Sequence, residues 1–349
     1  MVIRWLSALG AFVVVAYLGI AVIGNFSADA ANNSWALTAA LGLAAAFIAY
    51  AAVEYAQTRR LDSIARQFDT RTIVLIPVAI AINIILGQAV ASALKIPIYF
   101  DSIGTILVGA LAGPVAGALT GFLANTLWTY VVPPPFHSDF AAPFAIVAAV
   151  IGLLAGLFGR AGWLRPRTGR STGQLALGGG AAIVIVAALG YYAYTRFYGK
   201  NFALFGSGSD AIFVILGWFV IALMVAAVIG FLALLFLRRD LSVAFVVVAG
   251  VSTGIVAALI SAPISANLFS GVTGSGTDFL VAAFRQAGSD IQTATFQQGL
   301  LSDPVDKLVT FLTVYIILAA MARRTKARFP QGERLLETDA ADAPAGMPG

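Results

Sequence analysis

The chain contains no cysteine and a single histidine, His137. The first absence excludes disulfides, thiolate nucleophiles and cysteine-ligated metal or iron–sulfur centres. The second excludes a multi-histidine metal centre, and a Ser-His-Asp arrangement would have to use His137. Charge is scarce as well, at 11% of residues. No pair of carboxylates stands at a spacing typical of catalysis, and no motif for ATP hydrolysis is present. Nothing specific supports an enzyme, and the sequence calls for neither cofactor nor metal.

What fills the chain instead is apolar: 60% of residues are hydrophobic and the mean hydropathy is +0.92. A soluble core of this length cannot hide so much apolar side chain. Many runs are long enough for a hydrocarbon core about 30 Å thick, which takes about 20 helical residues. Short alternating segments of the kind that build membrane β-barrels are missing. The expected fold is all-α, a polytopic helical membrane protein with about ten transmembrane helices. The expected spans are Val2–Ile23, Trp35–Ala56, Thr72–Leu94, Ser102–Gly113, Pro114–Val132, Ala142–Phe158, Leu175–Tyr194, Asp210–Leu237, Leu241–Ile264 and Pro304–Ala322. The first has Arg4 and a following "ADAA", as a secretory signal would. Its length and the closely following second span favour a retained helix.

Lys and Arg set the expected topology. With the N-terminus in the cytoplasm, the inner segments carry about sixteen basic residues and the outer ones five. That is a positive-inside bias. It accounts for the basic pI near 9.6 and argues against a nucleic-acid footprint. The same test breaks one apolar run in two. If Ser102–Val132 were a single helix, the cluster Arg160, Arg165, Arg167 and Arg170 would move outside. A turn at Gly113-Pro114 restores it, because proline ends one helix and suits the first turn of the next. The resulting first helix is only about 18 Å long. Its ends then lie at membrane depth, which requires burial in protein or a wet cavity. Three divisions follow: a hairpin and basic loop over 1–71, a transport or substrate-binding domain over 72–323, and a cytoplasmic tail over 324–349. The small, polar, Pro-containing tail is expected to be disordered.

Polar residues inside spans are costly, so their placement is informative. Most gather at the outer helix ends. Tyr99, Asp101 and Ser102 form one cluster, and Asn125, Trp128 and Tyr130 another, leading into "VVPPPFHSDF" with His137 and Asp139. The third is the long stretch before the last span, holding Asn267, Thr277 and Asp278. Asp101 reads as an N-cap of the short helix, which does not prevent it from lining a cavity. "SDPVDKL" reads as a second helix start, with Asp303 as cap, Pro304 at the first position and Asp306 closing a box. Lys307 then pairs with an acid or with a ligand. "GVTGSGTD" has the glycines of a phosphate loop without its Lys-Ser/Thr, and reads as a mobile loop or re-entrant turn. His137 is a surface residue, a ligand contact or a proton site. Asn125 bonds another helix or a ligand. Gly113, Gly117 and Gly121, like Ala89 and Ala93, repeat every fourth residue and form close-packing stripes.

"IPIYFDSIGTILVGALAGPVAGALTGFLAN", "SAPISANLFSGVTGSGTD" and "GLLSDPVDKLVTFL" together resemble the substrate-binding S components of energy-coupling factor transporters. Members often show an aromatic-acid opening, a short helix, a Gly-Pro turn and a Gly/Ala-rich helix ending in Asn. The resemblance covers Thr72 to about Arg160 and about Leu241 to Arg323. It implies capture of a small vitamin-like solute from outside, without a cofactor. It also implies two ABC-type ATPases and a transmembrane coupling protein as partners. Carried onto this chain, the binding residues are Tyr99, Asp101, Asn125, Trp128, Asn267, Thr277 and Asp278, and the coupling surface includes Ala89 and Ala93. The family core has six helices, so the first two spans read as an added hairpin. The alternatives are an autonomous secondary transporter and a membrane sensor subunit. Against the former, Glu54 is the main acid within a span.

Overall fold

The computed structural model describes residues 2–22, 28–93, 98–168, 171–193, 195, 222, 225–226, 228–233, 235–237 and 239–336. Every regular element among them is helical. In chain order these are α1 (Val2–Val22), α2 (Ala28–Thr58), α3 (Asp62–Ala65) and α4 (Thr70–Gly87), which continues into a π-helical turn, Gln88–Ala93. There follow α5 (Ile103–Ala112), α6 (Pro114–Tyr130), α7 (Ala145–Arg160) and α8 (Thr172–Ala193). The last group is α9 (Ser242–Phe269), α10 (Asp278–Gln286), α11 (Ile291–Ala320) and α12 (Arg323–Ala327). Among the described residues four helical stretches are long and apolar enough to cross a membrane: Thr70–Val90, Ala142–Arg160, Thr172–Tyr191 and Ser242–Phe269. The protein is therefore built as a helical membrane protein. Its outer faces agree: α1 exposes Ile3, Leu6, Val13 and Val14, and α4 exposes Ile73, Val74 and Val78. Much of the expected span Asp210–Leu237, together with Lys95 and the tail from residue 337, lies outside the described residues.

The Gly113-Pro114 break is present. Gly113 adopts φ 136°, a left-handed value that disfavours any side chain, and Pro114 opens α6. The freed backbone groups are satisfied by distant glutamines. Gln67 Oε1 accepts from the Val115 amide at 2.8 Å, and the Gln331 amide donates to the Leu111 carbonyl at 2.8 Å. A Cβ on Gly113 would lie 2.5 Å from that Gln67 oxygen, so the glycine also makes room for its own cap.

The glycine stripe packs inside the molecule. A Cβ on Gly152 of α7 would sit 2.1 Å from the Gly117 carbonyl oxygen. One on Gly121 would sit 2.2 Å from the Ala148 carbonyl oxygen, and one on Gly156 2.3 Å from Pro114. α6 and α7 thus touch backbone to backbone, the close approach that small residues allow. A similar seam joins α9 to α11, where Gly254 meets Pro304 and Gly250 meets Leu308. Two apolar clusters fill the remainder. One joins α5, α7, α9 and α11 around Ile106, Ile151, Val247 and Phe311, and the other joins α4, α5 and α6 around Ala79, Val108 and Ala124.

The basic segments converge on one end. Arg4 pairs with Glu54 at 2.9 Å, Arg71 donates to the Arg328 carbonyl, and Arg334 donates to the Arg160 carbonyl. Glu54 is buried and also accepts from Ser63, so it anchors the hairpin to its loop. The other end is built from the segments around Tyr99, His137 and Thr277. Tyr99 Oη and Thr277 Oγ1 are 2.9 Å apart, and Phe140 packs edge-on to Phe269.

One predicted helix start is overturned. Asp303 does not cap a helix and Pro304 does not begin one. α11 starts at Ile291, where Asp290 accepts from the Thr293 amide at 3.0 Å, and runs unbroken through Pro304. α9 presses Gly254 onto that turn, and helices tolerate an internal proline when neighbours cover the freed carbonyl.

Candidate functional site

α5 begins beside a left-handed turn at Phe100, φ 54°. Such a value is uncommon outside glycine and must be held by its surroundings. Here Asp306 of α11 holds it: one carboxylate oxygen accepts from the Tyr99 amide at 3.1 Å and the Phe100 amide at 3.0 Å. Asp101 follows immediately, and it does not cap α5. That role falls to Asn83 of α4, whose side-chain oxygen accepts from the Gly104 amide at 2.7 Å while its amide donates to Thr105 Oγ1. The cap comes across a tertiary contact, so the neighbouring sequence carries no sign of it. Asp101 is left free to face a cavity.

That cavity has a volume of about 110 Å³. Tyr99, Trp128, Phe140 and Phe144 supply aromatic wall, and Asp101, Asn125, Ser261, Asp303 and Lys307 supply polar groups. Its geometry is fixed from several elements. The Trp128 indole donates to the Phe136 carbonyl at 2.7 Å, which ties the wall to the proline-rich loop. A Cβ on Gly87 would lie 2.5 Å from the Trp128 ring and 3.0 Å from Asp101 Cβ. Gly87 is the last residue before the π turn, a helix irregularity that frequently accompanies functional sites.

Lys307 lies in the interior of α11 rather than in the first turn of a helix begun at Pro304. Its ammonium is 2.5 Å from Asp306 Oδ2, 2.8 Å from Ser102 Oγ and 3.5 Å from Asp101 Oδ1. An ammonium has three donors, and these three partners use them. Asp303 accepts from Ser302 at 3.0 Å and from Ser261 at 3.2 Å, and Gln298 supports Ser302 at 2.6 Å. Asp303, Asp306 and Lys307 are all at most 4% exposed. The view of Glu54 as the main acid within a span is corrected accordingly. Asp303 and Asp306 were assigned to helix capping because Ser-Asp-Pro is a start signal wherever it stands.

The other expected site residues divide. Tyr99, Asp101, Asn125 and Trp128 line the cavity together. Thr277 stands behind it, bonded to Tyr99 and, at 2.7 Å, to Ser275, which is a wall residue. Asp278 closes its own loop, accepting from the Thr273 and Gly274 amides at 2.9 and 2.8 Å. Those amides therefore serve a resident carboxylate rather than a phosphate. Asn267 accepts a bond from Gln292, joining the end of α9 to the start of α11, and does not line the cavity. Ala89 and Ala93 fall in the π turn. Their four-residue spacing assumes α-helical bonding, whereas π-helical bonds span five. His137 sits outside the wall between the Val132 carbonyl at 3.1 Å and Asp139 at 2.9 Å. Both neighbours accept hydrogen bonds, and this holds the imidazole pKa above its usual value.

Sequence reasoning missed Asn83, Phe140, Phe144 and Ser261, which act only through the packing of separate helices. No family model, curated protein or solved structure matches this chain, so the chemistry of the site itself carries the functional reading.

Proposed function

We propose that this chain is the membrane-embedded substrate-binding subunit of an importer of the energy-coupling factor type. It takes a small vitamin-like solute from the outer face, and partner ATPases supply the energy. The observation that carries this reading is the walled cavity opposite the basic end, with four aromatic rings and a set of polar groups brought together from separate segments. A concave, mostly apolar site with a few placed polar groups is how small-molecule pockets are built. In this reading the chain crosses the membrane about ten times with both termini in the cytoplasm, which puts the basic end inside. The partners are a transmembrane coupling protein and two ABC-type ATPases, and the segment of Ala89 and Ala93 contributes to the coupling surface.

The test is purification from the native membrane in mild detergent, with stoichiometric partners identified by mass spectrometry. Recovery of two ABC ATPases and a membrane coupling protein supports the reading. Recovery of the chain alone, under conditions that preserve a known complex of this size, sinks it.

One observation favours a second reading, an autonomous secondary transporter. Asp303, Asp306 and Lys307 are buried within a helix, and intramembrane ionisable residues commonly serve ion or proton coupling. Solute flux in liposomes that contain only this protein, driven by a proton or sodium gradient, decides for it.

A further inference from the structure

The cavity carries a charge imbalance. Asp101, Asp303 and Lys307 line it, and Asp306 stands directly behind Lys307. One ammonium thus stands among three carboxylates and pairs with two of them, Asp101 and Asp306. Lys307 is already committed, since Asp306, Ser102 and Asp101 take its three donors. It has no donor left for an anionic ligand. Asp306 is committed as well, to Lys307 and to the Tyr99 and Phe100 amides. Asp101 and Asp303 keep accepting capacity on the cavity side, because a carboxylate has about four acceptor sites. Among the described residues no arginine or histidine lines the cavity to face either of them.

A second observation points to a ligand. Asn125 is 4% exposed and lines the cavity, yet its side-chain amide makes no hydrogen bond among the described residues. Its polar atoms open onto the cavity rather than being sealed in the packed interior. A bound molecule supplying a polar atom there pairs with Asn125, as polar groups in a native interior are nearly always paired.

The walls restrict the chemistry further. Tyr99, Trp128, Phe140 and Phe144 present ring surface, and aromatic faces attract organic cations. A cavity of 110 Å³ is close in size to engineered cavities that admit one benzene-sized body. Among the described residues no group of three acids or histidines is placed to hold a metal ion. A bare metal ion would also leave the rings unused.

We infer that the cavity recognises an organic cation: a ring-sized body bearing a protonated amine or comparable positive group. Asp101 and Asp303 face the charge, the aromatic rings enclose the body, and Asn125 bonds a polar substituent. This rests on the proposed binding function and names its substrate class.

The experiment uses the full chain, purified in detergent, and titration calorimetry with three ring-sized probes. These are benzylammonium, benzyl alcohol and benzoate, which differ chiefly in charge. Benzylammonium is expected to bind at least about tenfold more tightly than either of the others, the effect of about one charge-assisted hydrogen bond. Asp101→Asn and Asp303→Asn, each checked for an unchanged gel-filtration profile, are expected to weaken it by about tenfold or more. Glu333→Gln, which removes an exposed carboxylate at the basic end, away from the cavity, should change nothing. Equal or tighter binding of benzoate or benzyl alcohol overturns the cationic class while leaving a binding cavity in place. Failure of all three probes to bind overturns it too. In that event the recovery of partner ATPases still decides the proposed function separately.

Discussion

Where α6 crosses α7, Gly117 and Gly152 leave nothing between two backbones, and a Cβ at Gly152 would be 2.1 Å from a carbonyl oxygen. Where α11 meets the start of α5, the space is filled by Lys307, Asp306, Asp101 and Ser102. Both contacts involve buried helix surfaces, and they hold by opposite means. The first depends on side chains being absent, so that dispersion acts over the whole contact. The second depends on charges that water would otherwise solvate, and each is acceptable only while its partner remains. A seam of the first kind is rigid and chemically silent. A junction of the second kind is what a binding cavity needs, because its carboxylates keep acceptor sites that a charged ligand can use.

The largest expected effect follows from removing the one cation. Lys307→Met leaves Asp306 buried without its ion partner, and breaking such a pair costs about 3–5 kcal/mol. Thermal unfolding of the purified protein should show a large loss. The double variant Lys307→Met/Asp306→Asn should recover part of it, because no uncompensated charge remains. Loss of less than about 1 kcal/mol in the single variant would mean that the pair is solvated.

The seam should respond to the reverse change. Gly152→Val adds atoms where the Gly117 carbonyl stands, and overpacking of this kind costs about 1–3 kcal/mol, more when backbone must move. Gly10→Val is the matched control, since nothing lies within 4 Å of a Cβ there. Equal stability of the two variants would refute backbone contact between α6 and α7.

These two regions were unequally legible in the sequence. The Gly113-Pro114 break could be read because proline and glycine act locally, and the basic clusters forbade a single helix. The glycine stripe could be read as a packing face, though not which helix it meets. Asp303 and Asp306 were misread for a physical reason. Ser-Asp-Pro supports a helix start locally, and only the press of Gly254 against Pro304 shows that the helix continues through it. The true start is further back at Asp290, whose carboxylate accepts from the Thr293 amide and hydroxyl. Asn83 illustrates the same limit, since its capping of α5 depends on α4 lying alongside.

The displaced start gives a third expectation, smaller than the first two. Asp290→Ala should lower stability, as the loss of an N-cap does. The Thr293 bonds hold the Asp290 carboxyl below the usual range. A depressed carboxylate stabilises above its unfolded pKa, near about 3.9, and loses that contribution as pH falls through the lower folded value. Wild type and Asp290→Ala should therefore differ in melting temperature at neutral pH and converge in strong acid. A difference that persists at low pH would assign the effect to something other than the carboxylate.

The smallest effect belongs to the loop beside the cavity, and it has the opposite sign in pH. Protonated His137 donates from both ring nitrogens, to the Val132 carbonyl and to Asp139, whereas the neutral ring has one donor. Its folded pKa is raised, chiefly by the bond to Asp139. The stabilisation is thus complete below the unfolded value of about 6.5 and is lost as pH rises through the higher folded value. Asp139 is 80% exposed, so salt should screen the pair. His137→Gln should melt below wild type at about pH 5.5 and match it at about pH 8.5. Asp139→Asn should remove most of that difference. The same loop carries the Phe136 carbonyl that fixes Trp128, together with Ser138 and Phe140 of the cavity wall. If the histidine bonds do order this loop, probe binding by wild type should weaken over the same pH interval, and binding by His137→Gln should not. A pH response of equal size in both proteins would place its origin among the cavity carboxylates instead.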